Sequence, residues 1–108
     1  MKNLIITKEH LDAENKYIGK EDVSCYGGSI EIEENLGLVV FEGMLCAVGS
    51  IIAKAGSGIK AGDGIKAGDG IKAGTGIEAG EGIKAGEGIE AGWGIKAGTG
   101  IEAGDGIS

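Results

Sequence analysis

The chain has 108 residues, a net charge of −7 and no proline; 24 residues are glycine and only four are aromatic. That length allows one domain at most, and so few large side chains would leave a globular core thin. Both halves are acidic, with 5 Lys against 9 acids up to Lys54 and 5 against 8 after it. This excludes a basic footprint for nucleic acid and a polybasic membrane anchor.

Taken from the N-terminus, Met1–Ile6 reaches Lys8-Glu9-His10 before an apolar run of signal-peptide length can form. Thr7–Ala13 reads as a short helical turn with Thr7 as its N-cap. Ser29-Ile30-Glu31-Ile32-Glu33 alternates apolar with polar residues and predicts a strand. Leu36–Phe41 predicts a second strand, more fully buried. The apolar stretches Leu36–Phe41 and Met44–Ile52 are broken by Glu42 and by glycines, so neither spans a membrane. A cytoplasmic protein is expected. Cys25 and Cys46 stand 21 residues apart, form no Cys-x-x-Cys motif and have only His10 for company. Buried free thiols are the expectation for both.

From Ala55 onwards one phrase, Ala-Gly-x-Gly-Ile-(Lys/Glu), recurs nine times without insertion, the last copy ending Gly106-Ile107-Ser108. A flexible linker would favour Ser over Ile and would need no register. A strict short period instead marks stacked units that bury their apolar faces against neighbours. Side chains alternate along an extended segment, so Ile and the Ala two places later share the inner face while Lys/Glu points to solvent. Gly-x-Gly is the bend, its glycines admitting positive φ. The variable x (Ser57, Asp63, Asp69, Thr75, Glu81, Glu87, Trp93, Thr99, Asp105) is an exposed corner. Counting back by sixes from Ile59 reaches Ala53, Ala47 and Phe41, with Lys54 on the Lys/Glu place and Ala55 on the Ala place. The period therefore extends before the perfect copies in degenerate form.

Charge order selects the size of the coil. Equivalent residues of stacked coils lie about 4.8 Å apart, where opposite charges attract and like charges repel by tenths of a kcal/mol. Three hexads per coil give the columns Lys60/Glu78/Lys96, Lys66/Lys84/Glu102 and Lys72/Glu90, with four opposite-sign contacts and one like-sign contact. Two hexads per coil give five like-sign contacts and one opposite. The prediction is an all-β, single-stranded triangular β-solenoid of about 18 residues per coil. Residues 1–40 form an N-terminal cap with irregular β coils, and residues 41–108 form the hexapeptide-repeat solenoid. The acids Asp69, Glu87 and Asp105 would stack along one corner, where solvent screens them.

A triangular prism built from this hexad resembles the hexapeptide-repeat β-helix superfamily, in which aliphatic and small residues at fixed spacing fill a narrow core. The resemblance covers the C-terminal half. It implies a β-helix, and most enzymes of that superfamily are acyltransferases with a histidine base between subunits. Here the only histidine is His10, outside the repeats, where a surface or capping role is expected. No nucleophile elbow or phosphate loop occurs. Asp63, Asp69 and Asp105 lie between glycines, but the calcium-binding nonapeptide phrase is missing and they read as solvated acids. Thr75 and Thr99 fall on different columns, so no flat threonine face for ice binding is expected. No catalytic, cofactor or metal residues are assigned.

Function is therefore expected at the surface, in a non-enzymatic structural or protein-interaction module. The interaction candidates are Trp93, the acids Asp63, Asp69, Glu81 and Glu87, and Ile101 and Ile107 in the last coil. An exposed Trp is a frequent recognition anchor. A sequence that stops inside a perfect repeat predicts an open end and homo-oligomers formed by end-to-end stacking near Gly100–Ser108. The alternative is an acidic inhibitor that mimics nucleic acid and occupies a basic nucleic-acid-binding protein. Neither reading involves direct contact with nucleic acid or membrane.

Overall fold

In the computed structural model, which describes residues 3–108, the chain winds into three parallel sheets around one apolar column. One sheet stacks β1 (Asn3–Ile6), β2 (Ser29–Ile32), β5 (Ile51–Ala53), β8 (Ile71–Ala73), β11 (Gly88–Ala91) and β14 (Gly106–Ile107). A second stacks β3 (Gly37–Phe41), β6 (Ser57–Ala61), β9 (Gly76–Ala79) and β12 (Gly94–Ala97). The third stacks β4 (Leu45–Ala47), β7 (Ile65–Ala67), β10 (Ile83–Ala85) and β13 (Ile101–Ala103). β1 pairs directly with β2, and from β2 onwards consecutive strands go to different sheets and every third strand returns to the same one. That is the triangular β-solenoid the charge columns predict.

The repeats set the coil at 18 residues, with Ile65 over Ile83 over Ile101 and Ile59 over Ile77 over Ile95. All three predicted charge columns form: Lys60/Glu78/Lys96, Lys66/Lys84/Glu102 and Lys72/Glu90. Lys60–Glu78 and Lys84–Glu102 approach to 3.9 and 4.0 Å. These are exposed pairs of small individual worth. The one like-sign contact, Lys66 over Lys84, is a correctable fault. Lys66→Glu is expected to stabilise the chain by about 0.5 kcal/mol at low salt, a gain that shrinks in molar salt; urea titrations at two ionic strengths would check it.

From Ile59 to Ala103 the burial alternates along the repeat strands as the period predicts. Ile59, Ile65, Ile71, Ile77, Ile83 and Ile89 are 2 % exposed or less, and the alanines from Ala61 to Ala85 are nearly as buried. A small residue beside a branched one keeps the interior narrow enough for a single chain to close around it. Close packing of this kind rests on many weak dispersion contacts.

The earlier coils depart from the count by sixes. Phe41, Ala47 and Ala53 lie beneath Ala61, Ala67 and Ala73, on the alanine place, whereas Val39, Leu45 and Ile51 hold the isoleucine place. The outward place belongs to Val40, Cys46 and Ile52. Lys54 and Ala55 fall in a corner and are exposed. The cause is a longer corner between Ala53 and Ile59, in which Gly56 adopts φ +80 and stacks on Asn35, itself at φ +60. Two extra residues there shift the frame, so the distance from Ile51 to its partner Ile71 exceeds the repeat coil.

That corner also buries Ser57, expected at an exposed corner, down to 0 % exposure. Its hydroxyl donates to the Glu33 carbonyl and accepts the Leu36 N–H at 3.0 Å. Ser57 thus satisfies two backbone groups of the coil below, and burial is tolerated because both bonds are made. Ser57→Ala would strand those two groups. We expect a loss of about 2 kcal/mol, with Ser57→Thr less costly than Ser57→Ala; thermal melts of the two variants side by side provide the check.

The first coil is the least regular. Thr7 caps a single 3-10 turn, Lys8–His10, shorter than the helical segment expected from sequence. Isolated bridges then lay Lys16 on Val40 and Tyr26 on Ala47. The segment covers the N-terminal core: Tyr17 packs on Phe41 with ring centroids 5.6 Å apart, and Ile6 and Ile30 are fully buried. Asn15 adds two side-chain donations, to the Leu36 and Leu38 carbonyls at 2.6 and 3.0 Å. Residues 3–28 therefore complete the prism as a widened coil as well as closing its end.

Candidate interaction site

The three corners of the prism carry different chemistry. From Thr75 onwards the backbone N–H of each x residue donates to the x carbonyl one coil below, which makes three columns: Ser57/Thr75/Trp93, Asp63/Glu81/Thr99 and Asp69/Glu87/Asp105. Asp63, Asp69, Glu81, Glu87 and Asp105 are all exposed. The candidate acids thus lie on two corners, Asp63 with Glu81 on one and Asp69 with Glu87 on the other. The corner bearing Trp93 carries no acid at x. This segregation is invisible at a period of six and follows only from the coil of 18.

Trp93 is 83 % exposed, the most exposed large apolar side chain among the described residues. Its N–H donates to the Thr75 carbonyl at 2.8 Å, which fixes the backbone under the ring. A shallow groove runs beside it, floored by Gly56, Gly76 and Gly94 and flanked by Leu38, Thr75 and Lys96. Leu38, 40 % exposed and not singled out in the sequence, extends the apolar surface towards the earlier coils. The sequence predicts fuller burial along Leu36–Phe41, and here the expectation fails: the strand alternates, with Val39 and Phe41 buried and Leu38 exposed.

The end of the stack is the second feature. Core burial is nearly complete up to Ile89, at 1 % exposure, whereas Ile95 and Ile101 are half-buried and Ile107 is 49 % exposed. In this structure β12, β13 and β14 each pair on one side only. Ile101 and Ile107 therefore share one apolar end, 6 residues apart on adjacent sides of the prism. At the opposite end Ile6 is 0 % exposed beneath the irregular first coil.

The histidine, both tyrosines and both cysteines lie elsewhere, between His10 and Cys46. His10 accepts the Thr7 N–H at Nδ1, 3.0 Å, which is the capping role expected for it. Tyr17 donates its hydroxyl to the Glu21 carbonyl at 3.1 Å, and burial pushes its phenol above the usual range. Cys25 is exposed and Cys46 half-buried, against the expectation that both are buried. Burial raises the Cys46 thiol, an effect that the ammonium of Lys66 partly offsets. Among the described residues no three His, Cys, Asp or Glu side chains converge on a metal-sized space, and no helix is long and apolar enough to cross a membrane.

The three parallel sheets wound from a single chain place the protein in the class of β-solenoids. No protein-family model, curated protein or solved structure matches the chain.

Proposed function

We propose that the chain is a non-enzymatic structural or protein-interaction module of the cell interior that self-associates through its C-terminal coil. The observation that carries this reading is the gradient along the core, from complete burial at Ile71 to 49 % exposure at Ile107. Strand edges and apolar side chains at one end favour pairing with another edge. The other end is closed over Ile6, so the contact that fits is isologous, tail to tail about a two-fold axis. Strands across such a join run antiparallel. An Ile-x-Ala strand would then face Ala-x-Ile, setting each large inward residue against a small one.

Size-exclusion chromatography with light scattering tests this. The 108-residue chain should run as a dimer, and Ile107→Lys, at an edge where substitution costs little folding stability, should return it to a monomer. A stable monomer of the unsubstituted chain at high concentration would overturn the reading.

A second reading, the acidic inhibitor, is favoured by one observation, the segregation of acids onto two corners. Asp69, Glu87 and Asp105 form a column of like charge at strand spacing, which a basic protein surface would neutralise. The lysines of the faces between the corners work against it. Binding to a basic nucleic-acid-binding protein that weakens steeply with salt, and is lost when Asp63, Asp69, Glu81 and Glu87 are changed to amides, would establish it; binding unaffected by those changes would dismiss it.

A further inference from the structure

We propose that Cys25 and Cys46 are a redox pair, which a small-molecule disulfide such as oxidised glutathione joins into a bond that pins the irregular first coil to the stack. Their spacing of 21 residues fits no thiol motif. It does match one turn of the solenoid at this level, where Ile30 pairs with Ile51. Tyr26 lies in parallel register beside Ala47 and both are buried. The residues just before them, Cys25 and Cys46, therefore fall on the outward side of the same two neighbouring segments.

Backbone hydrogen bonds fix this juxtaposition. Cys46 donates its N–H to the Val23 carbonyl at 2.7 Å and accepts the Tyr26 N–H at 2.9 Å. Ser24 and Cys25 together thus oppose Cys46, a bulge of two residues against one. Neighbouring strands lie about 4.8 Å apart, within the range of about 4.4–6.8 Å between Cα atoms that a disulfide bridges. A turn just before the pair is held by Asp22, whose carboxylate accepts the Ser24 hydroxyl at 2.6 Å and the Ser24 N–H at 2.9 Å. Those two bonds keep the Asp22 carboxyl below its usual range.

Accessibility sets the order of events. Cys25 is exposed and Cys46 half-buried, so Cys25 meets the small disulfide first. Its thiolate attacks one sulfur of the small disulfide and expels a thiolate, leaving a mixed disulfide on Cys25. Cys46, as thiolate, then attacks the Cys25 sulfur and expels the second small thiolate. Two protein thiols are oxidised, one small disulfide is reduced to two thiols, and the two protons lost by the protein go to the leaving groups. Lys66 stands directly above Cys46 in its column, where its ammonium favours the attacking thiolate.

The consequence is mechanical. The segment between β1 and β2 forms no continuous ladder with the sheets, and its backbone pairs with them at two isolated parallel bridges, Lys16 on Val40 and Tyr26 on Ala47. A covalent bond beside the second would hold the cover, Tyr17 and Tyr26 included, over Ile6 and Phe41. In a glutathione-buffered interior the thiols stay reduced and the cover is free to open; oxidation closes it.

The test treats the full chain with oxidised glutathione and reads intact mass, free thiols and amide exchange. The expected product has lost two hydrogens, retains no glutathione and has no free thiol, and a Cys25–Cys46 linked peptide appears after digestion. Cys46→Ser should stop at one glutathione held on Cys25, and Cys25→Ser should react at least roughly tenfold more slowly, because its remaining thiol is half-buried. Exchange of the amides of Tyr17 and Tyr26 should slow roughly tenfold on oxidation and recover with a reductant. Wild-type chain that keeps glutathione on Cys25 without closing, or that forms only intermolecular disulfides, would overturn the proposal. So would a closed bond that leaves exchange in the first coil unchanged.

Discussion

Gly86→Ala should destabilise the protein by about 3 kcal/mol or more, whereas Gly88→Ala, two residues away in the same corner, should change stability by less than about 1 kcal/mol. The glycines flank Glu87 and look alike in sequence. They differ in what lies beyond the Cα hydrogen. A Cβ on Gly86 would run into the carbonyl oxygen of Gly68 in the coil below, far inside contact distance, with the carbonyl carbon close behind. That carbonyl belongs to backbone held by the ladder: Gly86 N–H donates to Ala67 at 3.1 Å, and Glu87 N–H to Asp69 at 3.0 Å. Relief would require the coils to separate. A Cβ on Gly88 would meet the Gly106 carbonyl at 3.5 Å, an ordinary contact.

Conformation alone predicts the opposite for Gly86. Its φ is not positive, and among the repeat glycines only Gly56, Gly58's longer-corner neighbour, and Gly106 have positive φ. An alanine that fitted would stabilise by restricting the unfolded chain, by about 0.4–1 kcal/mol. The glycine before x is therefore required by the close approach of stacked backbones, a correction to the bend argument from φ. The same clash recurs at Gly62, Gly68, Gly80, Gly92, Gly98 and Gly104. Glu42 and Val48 hold the equivalent place at the start of the stack, where the segment beneath is irregular and side chains fit. Urea titration of both variants by far-UV circular dichroism measures the difference, and equal midpoints would refute the steric account.

What could be read from sequence is what repeats. The alternation of Ile, Lys/Glu and Ala assigns inside and outside, and the order of charges distinguishes a coil of 18 from one of 12 because Lys60, Glu78 and Lys96 alternate only at the longer spacing. Columns at the corners follow, including the stacked Asp69, Glu87 and Asp105. What could not be read lies where the period breaks. Two extra residues between Ala53 and Ile59 move Phe41, Ala47 and Ala53 to the alanine place, and six-residue counting has no means of registering an insertion inside a corner. Ser57 was hidden for the same reason, since its burial depends on that longer corner folding over it. Asn3–Ile6 gives a strand with no turn signal beside it, and its partner Ser29–Ile32 lies across an irregular segment. Trp93 was conspicuous as an exception to the repeat, but its groove is completed by Leu38, more than two coils earlier in the chain. The juxtaposition of Cys25 and Cys46 is legible only once the length of that particular coil is known.

Ile77→Ala is expected to cost about 3–5 kcal/mol, against less than about 1 kcal/mol for Ile107→Ala. Ile77 is 2 % exposed and sits in one inward column between Ile59 and Ile95. In a globular core the neighbours of a truncated side chain can lean into the space and recover part of the loss. Here Ile59 and Ile95 are held at strand spacing by the ladders on either side, and Ala61, Ala79 and Ala97 beside them are too short to reach across. The cavity stays open, so the cost should fall at the upper end of the range for such truncations. Its spread should also be directional. Each coil touches only the coils above and below, which makes stability a sum of local terms and nearest-neighbour terms. Coils on the N-terminal side of Ile77 keep a longer stack and the cover formed by Tyr17 and Tyr26. Those on the C-terminal side keep only Ile83–Ile107. Amide exchange in Ile77→Ala should therefore accelerate most across Ile83–Ile107 and least across Leu45–Ala53. Uniform acceleration along the chain would show that the coils unfold as one unit, and that the solenoid is cooperative over its whole length despite the locality of its contacts.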